Sequence, residues 1–144
     1  MSAQRLRRAS RIVDIRERAV RAVEVKLYPL CRRTADASEA LAAARALVQA
    51  TLSAPSTSSF SSADLADTHA YLLGLERRVA VLVVEERKAR LEEEALRRKV
   101  IAAKAELKKV EVWRDRLAET LRADEQLQER KATDTVAARI PRGA

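Results

Sequence analysis

The chain has 144 residues with a formal net charge of +8 at pH 7, and charged side chains make up 35% of it. Aromatic residues account for only 3%, and the whole chain has two glycines and three prolines. A composition rich in Ala, Leu, Glu, Lys and Arg with so few helix breakers is typical of long helices or a coiled coil. It excludes a β-rich fold, and we expect an all-α protein.

Few residues suited to catalysis or metal binding occur in the sequence. His69 is the only histidine and Cys31 the only cysteine, which leaves no metal cluster, Ser-His triad or internal disulfide. The two glycines, Gly74 and Gly143, are too far apart for a phosphate-binding loop. We therefore expect no enzymatic activity and no cofactor or metal. We assign His69 and Cys31 structural roles, with pH sensing as the alternative for His69.

The sequence also predicts a cytoplasmic protein without membrane insertion. The N-terminal region is interrupted by charge throughout, unlike a signal peptide. The most apolar stretch, residues 79–84, is much shorter than the ~20 residues that a membrane helix needs. Residues 1–33 hold ten Lys/Arg and three Asp/Glu, so most of the positive charge lies at the start of the chain. This asymmetry implies an acidic partner surface.

A Ser-rich segment at residues 53–62 divides the helical sequence into two. Ser, Thr and Pro disfavour helix, so the first helix is predicted to cover about 3–52 and the loop 53–61. Ser61 and Asp64 form the pattern of a capping box, and Phe60 with Leu65 that of a hydrophobic staple. A second helix is therefore predicted over about 62–138, and the chain reads as a single hairpin domain, residues 1–144.

Both predicted helices carry an apolar heptad pattern, which indicates an antiparallel coiled-coil hairpin. The seam positions of the first helix are Val13, Arg16, Val20, Val23, Leu27, Leu30, Thr34, Ala37, Leu41, Ala44 and Val48. Those of the second helix are Leu72, Leu75, Val79, Leu82, Glu86, Ala89, Glu93, Leu96, Val100, Ala103, Leu107, Val110, Arg114, Leu117 and Leu121. At Pro29 we expect a kink and not a break, because the heptad phase continues through it.

The first helix is too short to cover the second, and the pattern fades after Leu121. We expect the last thirty residues or so to project and to bind a partner. The glutamate runs 85–86 and 92–94 are interpreted as a solvated face with i,i+4 ion pairs. Trp113 lies where the first helix should end, so it either closes the coiled coil or anchors a partner.

The C-terminal half resembles the FliJ/YscO (SctO) family, whose members form the central stalk of the export ATPase in flagellar and virulence type III secretion. The residues that carry the resemblance are Glu111-Val-Trp-Arg-Asp-Arg-Leu117, Leu121, Ala123-Asp-Glu-Gln-Leu-Gln-Glu-Arg-Lys131, Asp134 and Ala137-Ala-Arg139. In the flagellar branch of the family, Asp-Glu often follows the Gln-Lys segment, whereas here Asp134 is followed by Thr135. This difference leaves open whether the protein serves a flagellar or a virulence system.

The resemblance implies a protein that binds a hexameric export ATPase through its terminal ends and the cytoplasmic domain of the export gate nearer the loop. Secretion chaperones are further implied partners, and the location is peripheral to a membrane-embedded machine. The residues expected to face the ATPase are Arg5, Arg7, Arg8, Trp113, Gln126, Gln128, Arg130, Lys131 and Asp134.

Two other interpretations remain open at this stage. A secretion chaperone or coiled-coil scaffold would hold a partner helix on its seam. Nucleic-acid binding would account for the basic charge, but aromatic residues for base stacking are almost absent and acidic residues interleave with most of the Lys/Arg. We therefore expect no specific nucleic-acid partner.

Overall fold

Two long helices make up the protein in a computed structural model, which describes residues 2–54 and 61–140. Helix α1 spans Ser2–Leu52 and helix α2 spans Ser62–Arg139. The two helices pack against each other, and the described part of the chain contains no strand. The predicted fold class, an all-α helical hairpin, is confirmed. The single-domain organisation stays a prediction.

The start of α2 is fixed by a capping box. The Asp64 amide donates to the Ser61 Oγ at 3.2 Å, and the Ser61 amide donates to the Asp64 Oδ2 at 3.2 Å. Each bond satisfies an amide that has no carbonyl partner within the helix. This part of the prediction is confirmed, whereas Phe60 of the predicted staple lies outside the described residues. At the other side of the loop, the Ser53 amide donates to the Gln49 carbonyl and closes the last turn of α1.

The capping box predicts a measurable cost for Ser61→Ala. Loss of the Oγ acceptor leaves the Asp64 amide without its partner, and such a substitution costs about 1 kcal/mol. We expect a lower free energy of unfolding by urea denaturation and faster amide exchange in the first turn of α2. The adjacent exposed Ser62→Ala is the matched control and should be nearly neutral. Equal effects of the two substitutions would contradict the capping role.

Contacts divide the chain into two compact units, Met1–Ala22 with Val100–Ala144, and Val23–Lys99. In the Val23–Lys99 unit, buried Leu41 and Ala44 of α1 pack with buried Leu82 of α2. Ala40, Val79 and Val83 extend this cluster. Towards the middle of the helices, Arg33 forms an ion pair with Glu92 at 2.9 Å. Residues later in α1 therefore pair with residues earlier in α2, so the two helices of this unit are antiparallel.

The unit formed by Met1–Ala22 and Val100–Ala144 has a small aliphatic core. Ala9 and Val13 are almost fully buried, at 0% and 1% exposure, and Val20 and Val100 are also buried. The apolar side chains of α1 here recur at intervals of four and seven residues, which places them on one face of the helix. Burial of that face is what holds this part of α1 against α2.

Burial follows the predicted heptad seam closely. All fifteen seam positions of α2 are buried or half-buried, and so are ten of the eleven in α1. Arg16 is the exception, because its long charged side chain reaches water from the edge of the seam. Helix α1 also continues without a break through Pro29, which is exposed. The heptad prediction is confirmed, and the predicted kink at Pro29 stays a prediction.

The interpretation of the glutamate runs as a solvated face is wrong for Glu93, which is buried, and for half-buried Glu86. Both occupy seam positions and face small polar side chains of α1. Cys31 Sγ donates to Glu93 Oε1 at 3.3 Å, and Ser38 Oγ donates to Glu86 Oε1 at 3.4 Å. Each glutamate is also paired with an arginine four residues later, as the i,i+4 prediction requires. These two carboxylates are tolerated in the seam because each accepts a hydrogen bond from α1 and forms an ion pair with an arginine.

Hydrogen bonds and nearby positive charges hold the pKa of Glu93 below its ordinary value of 4.5. The hydroxyl of Thr34 has the largest effect, followed by the thiol of Cys31. The charges of Arg97 and Arg90 lower the pKa further, against the opposing effect of desolvation. The folded state therefore favours the ionised form of this carboxyl.

A stability difference with pH follows from the lowered pKa of Glu93. The contribution of the ionised carboxylate is present above pH 4.5 and is lost as the pH falls through the lower folded pKa. We expect Glu93→Gln to flatten the fall in Tm between neutral and acidic pH, measured by circular dichroism. The exposed neighbour Glu94, replaced by Gln, is the control. Parallel curves for wild type and Glu93→Gln would contradict the assignment.

Candidate functional site

A cleft lies in the unit that contains both ends of the chain. Arg5 and Arg8 of α1 and Trp113 and Leu117 of α2 line it, and its volume is about 300 Å³. We call it the Trp113 cleft. Residues spaced three or four apart share a helix face, so each helix supplies two adjacent side chains. Arg5 and Arg8 are exposed, Trp113 is 44% exposed and Leu117 is half-buried.

The start of α1 carries positive charge that the described residues neutralise only in part. Residues 2–22 contain seven arginines and two acidic residues. In residues 2–22, Arg21 forms an ion pair with Glu17 at 3.8 Å. Arg5, Arg7, Arg8 and Arg11 form no ion pair with any residue in the ranges 2–54 and 61–140. The arginines around the Trp113 cleft are therefore available to acidic groups of a partner.

The end of α2 lies uncovered by α1. Every residue from 122 to 140 is exposed, whereas Leu117, Ala118 and Leu121 are half-buried. We call residues 122–140 the exposed segment. The projecting part was expected to be about thirty residues long, but half-burial continues to Leu121, and Leu117 lines one cleft with Arg5 and Arg8. The heptad pattern and the burial therefore end together, because no apolar stripe remains for α1 to cover.

The predicted site residues of the exposed segment lie on two faces of α2. Gln126, Arg130 and Asp134 are four residues apart and line one face, together with Glu129 and Thr133. Gln128 and Lys131 are three residues apart and share a different face. Residues 122–139 thus continue α2 as a mostly polar helix, with exposed Leu127 and Val136, that offers a partner two distinct polar surfaces.

Of the nine predicted site residues, three line the Trp113 cleft, namely Arg5, Arg8 and Trp113. Arg7 is exposed but does not line the cleft, since two residues along a helix turn a side chain to the opposite face. Leu117 was missed as a site residue. Its signal was present, because it lies one helical turn after Trp113 and occupies a seam position.

The remaining candidate residues show no arrangement suited to chemistry. His69 is exposed, and the half-buried Cys31 is bonded to Glu93. In the part of the chain that the structure describes, no three His, Cys, Asp or Glu side chains are grouped for metal binding. Neither helix, over the same residues, has a segment long and apolar enough to cross a membrane. The Trp113 cleft and the exposed segment are suited to binding a partner.

The residues that carry the sequence resemblance, between Glu111 and Arg139, lie at the end of α2, which is exposed beyond Leu121. Searches of curated proteins and of solved structures give no match. The family described as flagellar FliJ protein matches residues 5–144, which is almost the entire chain and includes both helices. The chain therefore belongs to the FliJ family, whose members are non-catalytic, stalk-type components of flagellar and type III protein export.

Proposed function

We propose that the protein binds a hexameric export ATPase through the exposed segment and the arginine-rich start of α1. The observation that carries this proposal is that α2 continues for eighteen exposed residues beyond the last seam position, Leu121. The same unit holds Arg5, Arg7, Arg8 and Arg11, which form no ion pair within the described residues. A helix of this polarity buries nothing within its own chain. We therefore assign this segment to contacts with a partner.

The proposed contact is non-catalytic and acts through binding energy alone. It would alter the ATPase by favouring one arrangement of its subunits, which requires only a difference in affinity between arrangements. We place the protein in the cytoplasm, peripheral to the membrane-embedded export machinery. Secretion chaperones belong to the same proposal as further partners.

A second contact, with the cytoplasmic domain of the export gate, is proposed nearer the loop. In the Val23–Lys99 unit, a groove of about 340 Å³ lies on the loop side of the Leu41 cluster. Its lining is Arg45, Val48, Gln49, Glu76 and Val79. This mixture of apolar and oppositely charged side chains suits a protein surface. Separate contact regions would let one chain bind the ATPase and the gate at the same time.

The test is ATP hydrolysis by the export ATPase encoded in the same operon, with and without the full chain. We expect co-sedimentation with the hexamer and a concentration-dependent change in the hydrolysis rate. The isolated cytoplasmic domain of the gate should bind the chain without displacing the ATPase. Absence of both binding and a rate change would contradict the proposed ATPase contact.

A further inference from the structure

We propose that the Trp113 cleft is a recognition site for an acidic peptide segment in which an apolar side chain lies between carboxylates. That this segment belongs to the export ATPase rests on the proposed function above. The peptide chemistry itself rests on the four side chains that line the cleft and on the charge around them.

The apolar part of the cleft is provided by α2. Trp113 is the only tryptophan of the chain and is 44% exposed, although it stands beside the seam. Leu117, one turn later, is half-buried and contributes the second apolar surface. A volume of about 300 Å³ is at the lower limit of small-ligand pockets and suits one inserted side chain. Partly exposed tryptophans of this kind are common energetic centres of protein interfaces.

The charged part of the cleft is provided by α1. Arg5 and Arg8 are the charged residues of its lining, and no carboxylate lines it. Both are exposed, and neither has an ion pair within the described residues. A guanidinium presents a planar set of donors that matches a carboxylate at two points. Two arginines beside one apolar surface therefore fit a segment with acidic residues close to a hydrophobic one.

Nucleic acid and lipid fit these observations less well. Trp113 is the only aromatic residue in the Met1–Ala22 and Val100–Ala144 unit, so successive bases would find no series of stacking surfaces. A helix that lies on a membrane needs a broad free apolar face. In α1 the apolar face with Ala9, Val13 and Val20 is buried, and within residues 2–22 only Ile12 and Ile15 are large apolar side chains that are exposed. An acidic protein segment needs only the local combination that the cleft provides.

The experiment measures binding of a fluorescein-labelled peptide to the full chain by anisotropy. The peptide contains glutamates around a single leucine; one companion has glutamine for glutamate, and another has serine for leucine. We expect saturable binding of the first peptide, accompanied by a shift in Trp113 emission. Each companion should bind at least about five-fold more weakly, because each lacks one of the two recognised groups.

Variants place the binding at the cleft. Arg5→Glu/Arg8→Glu should weaken the peptide affinity by at least about ten-fold, and Trp113→Ala by at least about five-fold. The matched control is Arg16→Glu/Arg18→Glu, which makes the same charge change at two exposed arginines. Arg16 lies eight residues from Arg8, about 12 Å along the helix. That exceeds the Debye length of about 8 Å at about 150 mM salt, so the control should lose less than about three-fold.

Several results would overturn the proposal. These are equal binding of the glutamate and glutamine peptides, or an equal loss in the Arg16/Arg18 control. Tighter binding of single-stranded DNA or of phosphatidylglycerol vesicles, dependent on Arg5 and Arg8, would assign the cleft to phosphate groups instead. Circular dichroism of each variant shows whether the helices are intact, and the exposed arginine variants are expected to remain folded.

The two proposals can fail separately. If the cleft variants lose the peptide while the wild-type chain neither binds nor affects the ATPase, the cleft proposal stands and the ATPase proposal fails. If Trp113→Ala and Arg5→Glu/Arg8→Glu both retain full ATPase binding and the wild type does not bind the peptide, the cleft proposal fails. The ATPase proposal then stands for the exposed segment but not for Arg5 and Arg8.

Discussion

Truncation of the chain after Leu121 is expected to abolish its effect on the export ATPase and to weaken binding at least about ten-fold. The truncation removes the whole exposed segment, which includes Gln126, Gln128, Arg130, Lys131 and Asp134. Those side chains make up the polar surface of α2 that no part of α1 covers. The measurement is the hydrolysis rate at increasing concentrations of the full and truncated chains.

The truncated chain should keep its fold, which makes its loss of function interpretable. All residues from 122 to 140 are exposed, so their removal eliminates no buried apolar contact. We expect Tm to change by less than about 3 °C. Full stimulation by the truncated chain would contradict a role for the exposed segment.

Two matched variants show which face of the exposed segment acts. The first is Gln126→Ala/Arg130→Ala/Asp134→Ala, on the face that Glu129 and Thr133 share. The second is Gln128→Ala/Lys131→Ala, on the other face. Loss in one variant alone would identify the contact face, and loss in neither would contradict side-chain recognition by these five residues.

Leu41→Ala is expected to lower the free energy of unfolding by about 2–3 kcal/mol, at the low end of the range for buried leucines. Leu41 is 5% exposed and packs against Ala44 and Leu82 in the main cluster of the Val23–Lys99 unit. The substitution removes its methyl groups and leaves a space that two helices can partly close. Urea denaturation and a fall in Tm of roughly 6–12 °C would measure the effect.

The control for this prediction lies on the same helix. Leu47 is 50% exposed, and Leu47→Ala should change stability by less than about 0.5 kcal/mol. The two substitutions remove the same atoms from residues in α-helix, so helix propensity cancels in the comparison. Equal losses would show that packing in the Leu41 cluster does not stabilise the hairpin.

Much of the fold could be predicted from sequence because its determinants are local. Composition and the near absence of Gly and Pro indicated helices, and the capping box at Ser61 predicted where α2 begins. The heptad repeat predicted which residues are buried, because a helix with one apolar stripe removes it from water by packing that stripe against the other helix. Arg16 alone departed, because a long side chain at the edge of a seam can reach water.

Polar residues in the seam were predicted less well. Glu86 and Glu93 occupy seam positions, yet runs of glutamate among arginines also suit a solvated face. Whether Glu93 is buried depends on Cys31, sixty-two residues away in sequence, which donates a hydrogen bond to it. Sequence alone could not choose, since the cost of burying a carboxylate depends on partners that the other helix supplies.

The sequence by itself determined an all-α chain with two helices, a seam, a basic start and a polar end. It also carried the residues of the family resemblance. Only the tertiary structure decided that Arg5 and Arg8 line one cleft with Trp113 and Leu117, that Arg7 does not, and that burial along α2 extends to Leu121. Heptad positions define which face of each helix is buried, but they leave the alignment of the two helices open. That alignment is set by the apolar contacts and the polar pairs that the two helices form with each other, and it creates the cleft.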